Sequence, residues 1–230
     1  MKGLFSGDSA IGKALTKIGE LVILSIIWFI TSLPVITIGA STTALYYATV
    51  KSLRMGRGYV IKEYFKAWKE NFLRATFLTI FFIVCILGLW TVLQMMGVTL
   101  EDISVNAIKS AYVDNAETAL AMYFISAGYI ILLGGLFCYV FPLLSRFDQS
   151  GIKILFMAFV MMIRFFYYSI SVFVILVGLG YLVVRLPLGI MFAPGLWALL
   201  SSFLLEKAFI KYTPEPDPDS DVDAWWMRLS

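Results

Sequence analysis

The sequence predicts an all-α polytopic membrane protein, and three observations predict it. First, 60% of the 230 residues belong to the set AVILMFWYC and only 14% are charged. Globular chains average about 45–50% apolar and roughly 25% charged, and one soluble core of this size cannot hide so many large apolar side chains. Second, no Asp, Glu, Lys or Arg occurs in 21–50, 75–100, 118–145, 165–184 or 186–205, stretches of 20 to 30 residues that fill more than half the chain. Each exceeds the roughly 18 residues that mark a candidate span. Third, the intervals between these stretches differ in charge, as the loops of a multi-pass protein do.

The first stretch, 21–50, is long enough for two helices, with a break in the run Ser32-Leu33-Pro34-Val35-Ile36-Thr37-Ile38-Gly39. Pro34 lacks a backbone donor and disfavours a helical Leu33. Ser41 or Thr42 would cap a second helix running to about Arg54, where Lys51 and Arg54 can reach the interface on their flexible stems. The five hydrophobic segments therefore give five or six transmembrane helices. Six are favoured, with the first segment a helical hairpin broken at Pro34.

Residues 51–74 carry Lys51, Arg54, Arg57, Lys62, Lys66, Lys69 and Arg74 against Glu63 and Glu70. Residues 101–117 carry Glu101, Asp102, Asp114 and Glu117 against Lys109, and 146–164 carry Arg146, Lys153 and Arg164 against Asp148. Loops rich in Lys and Arg are cytoplasmic, which places 51–74 and 146–164 inside and 101–117 outside. A tight turn near Arg185-Leu186-Pro187 then lies outside, and both termini are expected in the cytoplasm of a multi-pass plasma-membrane protein.

Within 51–74, Ile61, Tyr64, Phe65, Trp68 and Phe72 recur at helical spacing, with Lys62, Lys66 and Lys69 on other faces. This pattern predicts an interfacial amphipathic helix along the inner leaflet, its lysines drawn to anionic lipid; a docking helix for a partner would use the same chemistry. A faint repeat at an offset of 91 aligns Ile61-Lys62, Phe65, Ala67 and Trp68 with Ile152-Lys153, Phe156, Ala158 and Phe159. Each set follows a proline-marked break, at Pro34 and Pro142, but 152–163 has almost no polar face and should pack into protein or lipid. Residues 1–212 read as a single helical membrane domain. Residues 213–230, with Asp217, Asp219, Asp221 and Asp223 among prolines, read as an acidic, disordered cytoplasmic tail.

Composition narrows the function classes. With no histidine in the chain, a Ser-His-Asp triad, an imidazole metal ligand and an imidazole pH sensor are excluded. Cys85 and Cys138 both fall in charge-free stretches, where cysteine serves as a small apolar filler. A net charge of +3, thinly scattered, does not suit nucleic acid. Gly7-Asp8-Ser9-Ala10-Ile11-Gly12-Lys13 imitates a phosphate loop, yet Ala14 stands where the magnesium-binding Ser or Thr belongs. The aspartates of the tail imitate a calcium loop, with Val222 in the position that needs glycine. No catalytic residue, metal site or cofactor is expected, and the charge-free spans show no deep ionisable group of the kind that couples pumps to ions. The best candidate for a partner or cavity motif is Pro34, Thr37, Gly39, Ser41, Thr42 and Thr43, whose hydroxyls either cap a helix or face a polar space.

The run Ser32-Leu33-Pro34-Val35-Ile36-Thr37-Ile38-Gly39-Ala40-Ser41-Thr42-Thr43-Ala44-Leu45-Tyr46 resembles the signature of the YesL-like bacterial membrane proteins, a family of unknown biochemical function. Phe141-Pro142, and Pro194-Gly195 leading to Lys211-Tyr212, resemble its later landmarks. The likeness spans about residues 1–212. It implies a bacterial plasma-membrane protein whose relatives are often encoded near carbohydrate ABC importers and sensor-regulator pairs, and it implies no established site residues. The expected function is that of an accessory protein, not an enzyme, in contact with the lipid bilayer and with the membrane subunits of a carbohydrate ABC importer. The alternative is a channel-like facilitator for a small solute.

Overall fold

The computed structural model describes residues 10–95 and 116–213. Among them are seven α-helices and no strand: α1 (Ala10–Thr31), α2 (Ile38–Ala48), α3 (Val60–Met95), α4 (Ala116–Arg146), α5 (Gly151–Arg164), α6 (Phe166–Arg185) and α7 (Ala193–Ile210). Five of them, α1, α3, α4, α6 and α7, are long and apolar enough to cross a membrane. The protein is an all-α polytopic membrane protein.

The break at Pro34 is present. α1 ends at Thr31, a 3-10 turn covers Val35–Thr37, and α2 starts at Ile38. The Thr37 hydroxyl donates to the carbonyls of Thr31 (2.6 Å) and Pro34 (2.7 Å), tying the turn to the end of α1. The chain then runs back antiparallel to α1, with Trp28 against Thr42 and Lys17 beside Arg54 at the far end. This second arm is shorter than the first. α2 has 11 residues and passes into a π turn of six, Thr49–Arg54, so its length is about 25 Å against a hydrocarbon core of about 30 Å. The favoured count of six thus resolves into five helices of spanning length and one shorter arm.

That short arm is the centre of the molecule. α1, α3, α4 and α7 all pack on α2, and every residue from Gly39 to Ala48 except Tyr47 is buried. Its small side chains allow this close approach, since helix association within lipid depends on packing where no hydrophobic force operates between helices. The arm ends at Gly56, which adopts φ 67°, while the N–H groups of Gly56 and Arg57 donate to the carbonyls of Ser52 (2.8 Å) and Lys51 (3.2 Å). A left-handed glycine that satisfies the last carbonyls is a usual helix stop.

Two sequence expectations need correction here. The amphipathic stretch 61–72 is not a separate interfacial helix but the first turns of α3, which runs unbroken for 36 residues. No Gly or Pro interrupts 60–87. A single buried stripe, Val60, Tyr64, Ala67, Ala75, Leu78 and Phe82, keeps helical register across the joint. The helix is therefore about 54 Å long and exceeds the hydrocarbon core. Likewise Pro142 does not break α4, which continues to Arg146. A proline in the last turns leaves few intrahelical bonds to lose, and the carbonyl of Pro142 accepts from the Ser145 hydroxyl at 2.7 Å.

The separate short helix is α5. It buries one edge (Ile154, Ala158, Met161), while Ile152, Phe156, Phe159 and Ile163 remain exposed. Its packing on α4 uses missing side chains, with Met162 seated against Gly135; on α6, Phe173 is seated against Gly134. Tyr139 and Ser169 share a buried hydrogen bond of 2.9 Å that locks α4 to α6. α7 begins with Pro194 in its first turn, and the Gly195 N–H donates to Ser25 Oγ at 3.0 Å, which ties α7 to α1. A side chain at Gly195 would meet Ser25 and Leu21.

Candidate functional site

The hydroxyl motif lies inside the bundle. Pro34 is exposed in the turn, whereas Thr37, Gly39, Ser41, Thr42 and Thr43 are buried. Thr42 donates to the Ile38 carbonyl (2.8 Å) and accepts the Trp28 indole N–H (3.2 Å), joining α2 to α1. Gly39 donates its N–H to Thr79 Oγ1 at 3.2 Å, and a Cβ at Gly39 would run into that hydroxyl and the Phe141 ring. The Thr43 hydroxyl is buried and has no hydrogen-bond partner. The motif is thus a packing centre that lets α3 and α4 reach the backbone of α2.

The residues of the expected interfacial helix divide between two surroundings. Tyr64 is fully buried and shares a 2.6 Å hydrogen bond with Thr31 Oγ1 at the end of α1. Trp68 is half-buried, its ring centre 4.8 Å from that of Phe72 and tilted by 57° to it. Ile61, Lys62, Phe65, Lys66 and Lys69 are exposed. Glu63 turns back to Lys51 across 2.9 Å, closing the hairpin between the π turn and α3. Lys51 also donates to Tyr47 Oη at 3.1 Å. Burial alone would lower the ammonium pKa, but these hydrogen bonds outweigh it and hold it above its ordinary value.

The polar centre that composition did not disclose sits where four chain segments meet. Arg146 ends α4, and Nη1 donates to Glu206 Oε2 of α7 at 2.5 Å, with 2% of each side chain exposed. Glu206 Oε1 accepts from the buried Tyr46 hydroxyl of α2 at 3.2 Å. Beside them Arg54 Nη1 donates to the carbonyl (2.9 Å) and hydroxyl (3.2 Å) of Ser202, with its guanidinium 4.3 Å from the Phe203 ring centre. Arg146 Nη2 also reaches Thr213 Oγ1 at 3.4 Å. Two arginines therefore flank one carboxylate. A buried ion pair compensates desolvation only when its remaining lone pairs and protons are satisfied, and Tyr46 supplies that second bond to Glu206. The sequence did carry one signal for this centre. Arg146 and Glu206 each directly follow a charge-free stretch, with opposite signs.

Cations gather at this end. Lys17 of α1, Arg54 and Arg57 line one groove, and Arg74 of α3 pairs with Asp148 between α4 and α5. At the opposite end, an apolar crevice of about 380 Å³ lies between α1, α2, α4, α6 and α7, with Trp28, Phe137 and Trp197 among its walls. Cys85 and Cys138 are both free thiols. The near phosphate loop falls partly outside the described residues, with Gly12 and Lys13 in the first turns of α1. The aspartates of the tail lie wholly outside them.

The fold defines a helical membrane protein built round a short hydroxyl-rich arm. Its N-terminal three-helix portion resembles a known family: the model of DUF624, a protein family of unknown function, matches residues 21–93. That match covers the second half of α1, all of α2 and nearly all of α3. No curated protein and no solved structure matches the chain.

Proposed function

We propose that this chain is a YesL-like accessory protein of the bacterial plasma membrane, without catalytic activity of its own, which works by helix–helix contact with the membrane subunits of a carbohydrate ABC importer. The observation that supports this reading is the placement of Gly88, Gly128, Gly178 and Gly180. All four are exposed on helices of spanning length, and a Cβ at any of them would meet no atom within 4 Å. Glycines that face inward in the same bundle, Gly134 and Gly135, are filled by Phe173 and Met162. Outward small residues on a spanning helix permit close approach of a second backbone. The Tyr129 hydroxyl reaches the Cys85 carbonyl at 3.2 Å, so Gly88 and Gly128 lie at similar depth on neighbouring helices. The choice of importer follows the genomic neighbourhood that the YesL-like resemblance implies, and the cations gathered at one end favour a cytoplasmic assignment for that end.

The test is affinity purification in mild detergent from cells that express the chain at native level. Importer subunits are expected with the wild type and should be lost with Gly88→Leu or Gly178→Leu, while the monomer still folds. Recovery of no importer subunit with the wild type defeats the reading. Sugar uptake by liposomes that hold this chain alone would replace it with solute facilitation.

A further inference from the structure

We infer that α5 lies in the plane of one membrane leaflet and holds anionic phospholipid there, its apolar side among the acyl chains and Lys153 and Arg164 at the headgroups. Fourteen residues make a rod of about 21 Å, too short to cross a hydrocarbon core of about 30 Å. Its neighbours show that it lies across the bundle. A Cβ on Gly151, the first residue of α5, would touch Phe77 and Leu78 of α3. Phe165, directly after the helix, packs against Tyr212 just beyond α7, with 6.2 Å between ring centres. Phe147, on the approach from α4, meets Phe209 in the last turn of α7 at 6.3 Å. The chain thus enters and leaves α5 at one end of the bundle, and the helix runs across that end from α3 towards α7.

The helix has three sides. Ile154, Ala158 and Met161 are buried against the bundle. Ile152, Phe156, Phe159 and Ile163 project away from it, and Phe156 is 70% exposed. Lys153 and Arg164 share the third side. Eleven residues apart, they fall within about 20° of each other round the axis and about 16.5 Å apart along it, and both are exposed. The Arg164 guanidinium lies 5.4 Å from the centre of the Tyr212 ring, which steadies it at that edge. This division selects the occupant. An apolar side bordered by cations suits a helix lying in the interface, where long basic stems reach the headgroups. A zwitterionic lipid would cover the apolar side and bring no net charge to the cations, and a soluble anion would leave the apolar side bare. An anionic phospholipid meets both sides with one molecule. The interfacial position that the sequence suggested for 61–72 thus belongs to α5.

The experiment uses the full chain reconstituted in vesicles, with Phe156→Trp as a reporter on the apolar side and the emission of the wild type subtracted. Phosphatidylglycerol or phosphatidylcholine, brominated in the acyl chains, is included at equal mole fraction. Both lipids are expected to quench the reporter, and phosphatidylglycerol to do so at the lower mole fraction, each cation counting for about fivefold in local enrichment. Lys153→Gln combined with Arg164→Gln should abolish that preference. Lys153 is exposed, so Lys153→Gln alone supplies a step of about fivefold if the double variant does not fold. Arg164→Lys keeps the charge and should keep the preference, and Lys62→Gln with Lys66→Gln, on α3, should change nothing. Equal quenching by the two lipids overturns the inference, as does a preference that survives in the Lys153 variants. A reporter shielded from both lipids overturns it too, and shielding that is relieved by dilution in the bilayer would assign the face to a second copy of this chain.

Discussion

Arg146 of α4 and Glu206 of α7 meet across 2.5 Å with almost no exposure to the surroundings of either side chain. Removing Arg146 takes the directly bonded cation away from a buried carboxylate, which keeps the Tyr46 hydrogen bond and the nearby Arg54. Arg146→Ala is expected to destabilise the protein by about 3–5 kcal/mol, the usual cost of breaking a buried pair. Arg146→Met combined with Glu206→Leu should cost less than the sum of the single changes. Reversible unfolding in mixed micelles, run as a double-mutant cycle, measures the difference, and strict additivity would show that the pair is not coupled.

Gly39 has no room for a side chain, because Thr79 and Phe141 already occupy that space. Gly39→Ala should therefore cost about 1–3 kcal/mol through overpacking, despite alanine's higher helix propensity. Combining it with Thr79→Ala should recover part of the loss. Gly88→Ala, where a Cβ meets nothing within 4 Å, should leave the midpoint of thermal unfolding unchanged or slightly raised.

The Thr43 hydroxyl is buried with no partner, and an unmet polar group in an apolar setting costs free energy. Thr43→Val keeps the shape and removes the hydroxyl. It is expected to stabilise the bundle by about 1 kcal/mol, read as a shift in the same unfolding experiment. Thr42→Val, which would break bonds to Ile38 and Trp28, should act in the opposite direction.

Lys51 gives a pH signature. Its folded pKa lies above the ordinary value of 10.5 through its bonds to Glu63 and Tyr47. The stabilisation is fully present below that unfolded value and is lost as pH rises through the folded one. Lys51→Met should thus show a stability deficit at pH 8 that narrows above about pH 10.5. A deficit that stays constant with pH would mean that Lys51 acts by packing alone.

Much of the fold was legible in charge placement. The five charge-free stretches each lie within or across a spanning helix, because burying an unpaired charge in hydrocarbon is costly enough to shape a sequence. Pro34 marked the turn between α1 and α2 for a local reason, and Arg54 marked the end of the returning arm. The continuity of α3 was hidden by chemistry: its first turns carry a lysine-rich outer face, and only the inner stripe from Val60 to Phe82 shows that one neighbour, α2, holds both halves. The ion pair was hidden by the same logic that revealed the spans. Arg146 and Glu206 terminate charge-free stretches, so they read as boundary residues, and only tertiary packing turns each into the other's partner.

The central position of α2 also bears on biosynthesis. Translation delivers this arm before α4 and α7, two of the four helices that enclose it. Until they arrive, its glycine and hydroxyl residues face lipid, water or an insertion factor. A chain that stops after residue 95 would therefore hold α1, α2 and α3 with α2 left uncovered on its α4 and α7 sides, and pulse-chase labelling should find that fragment cleared faster than the full-length chain.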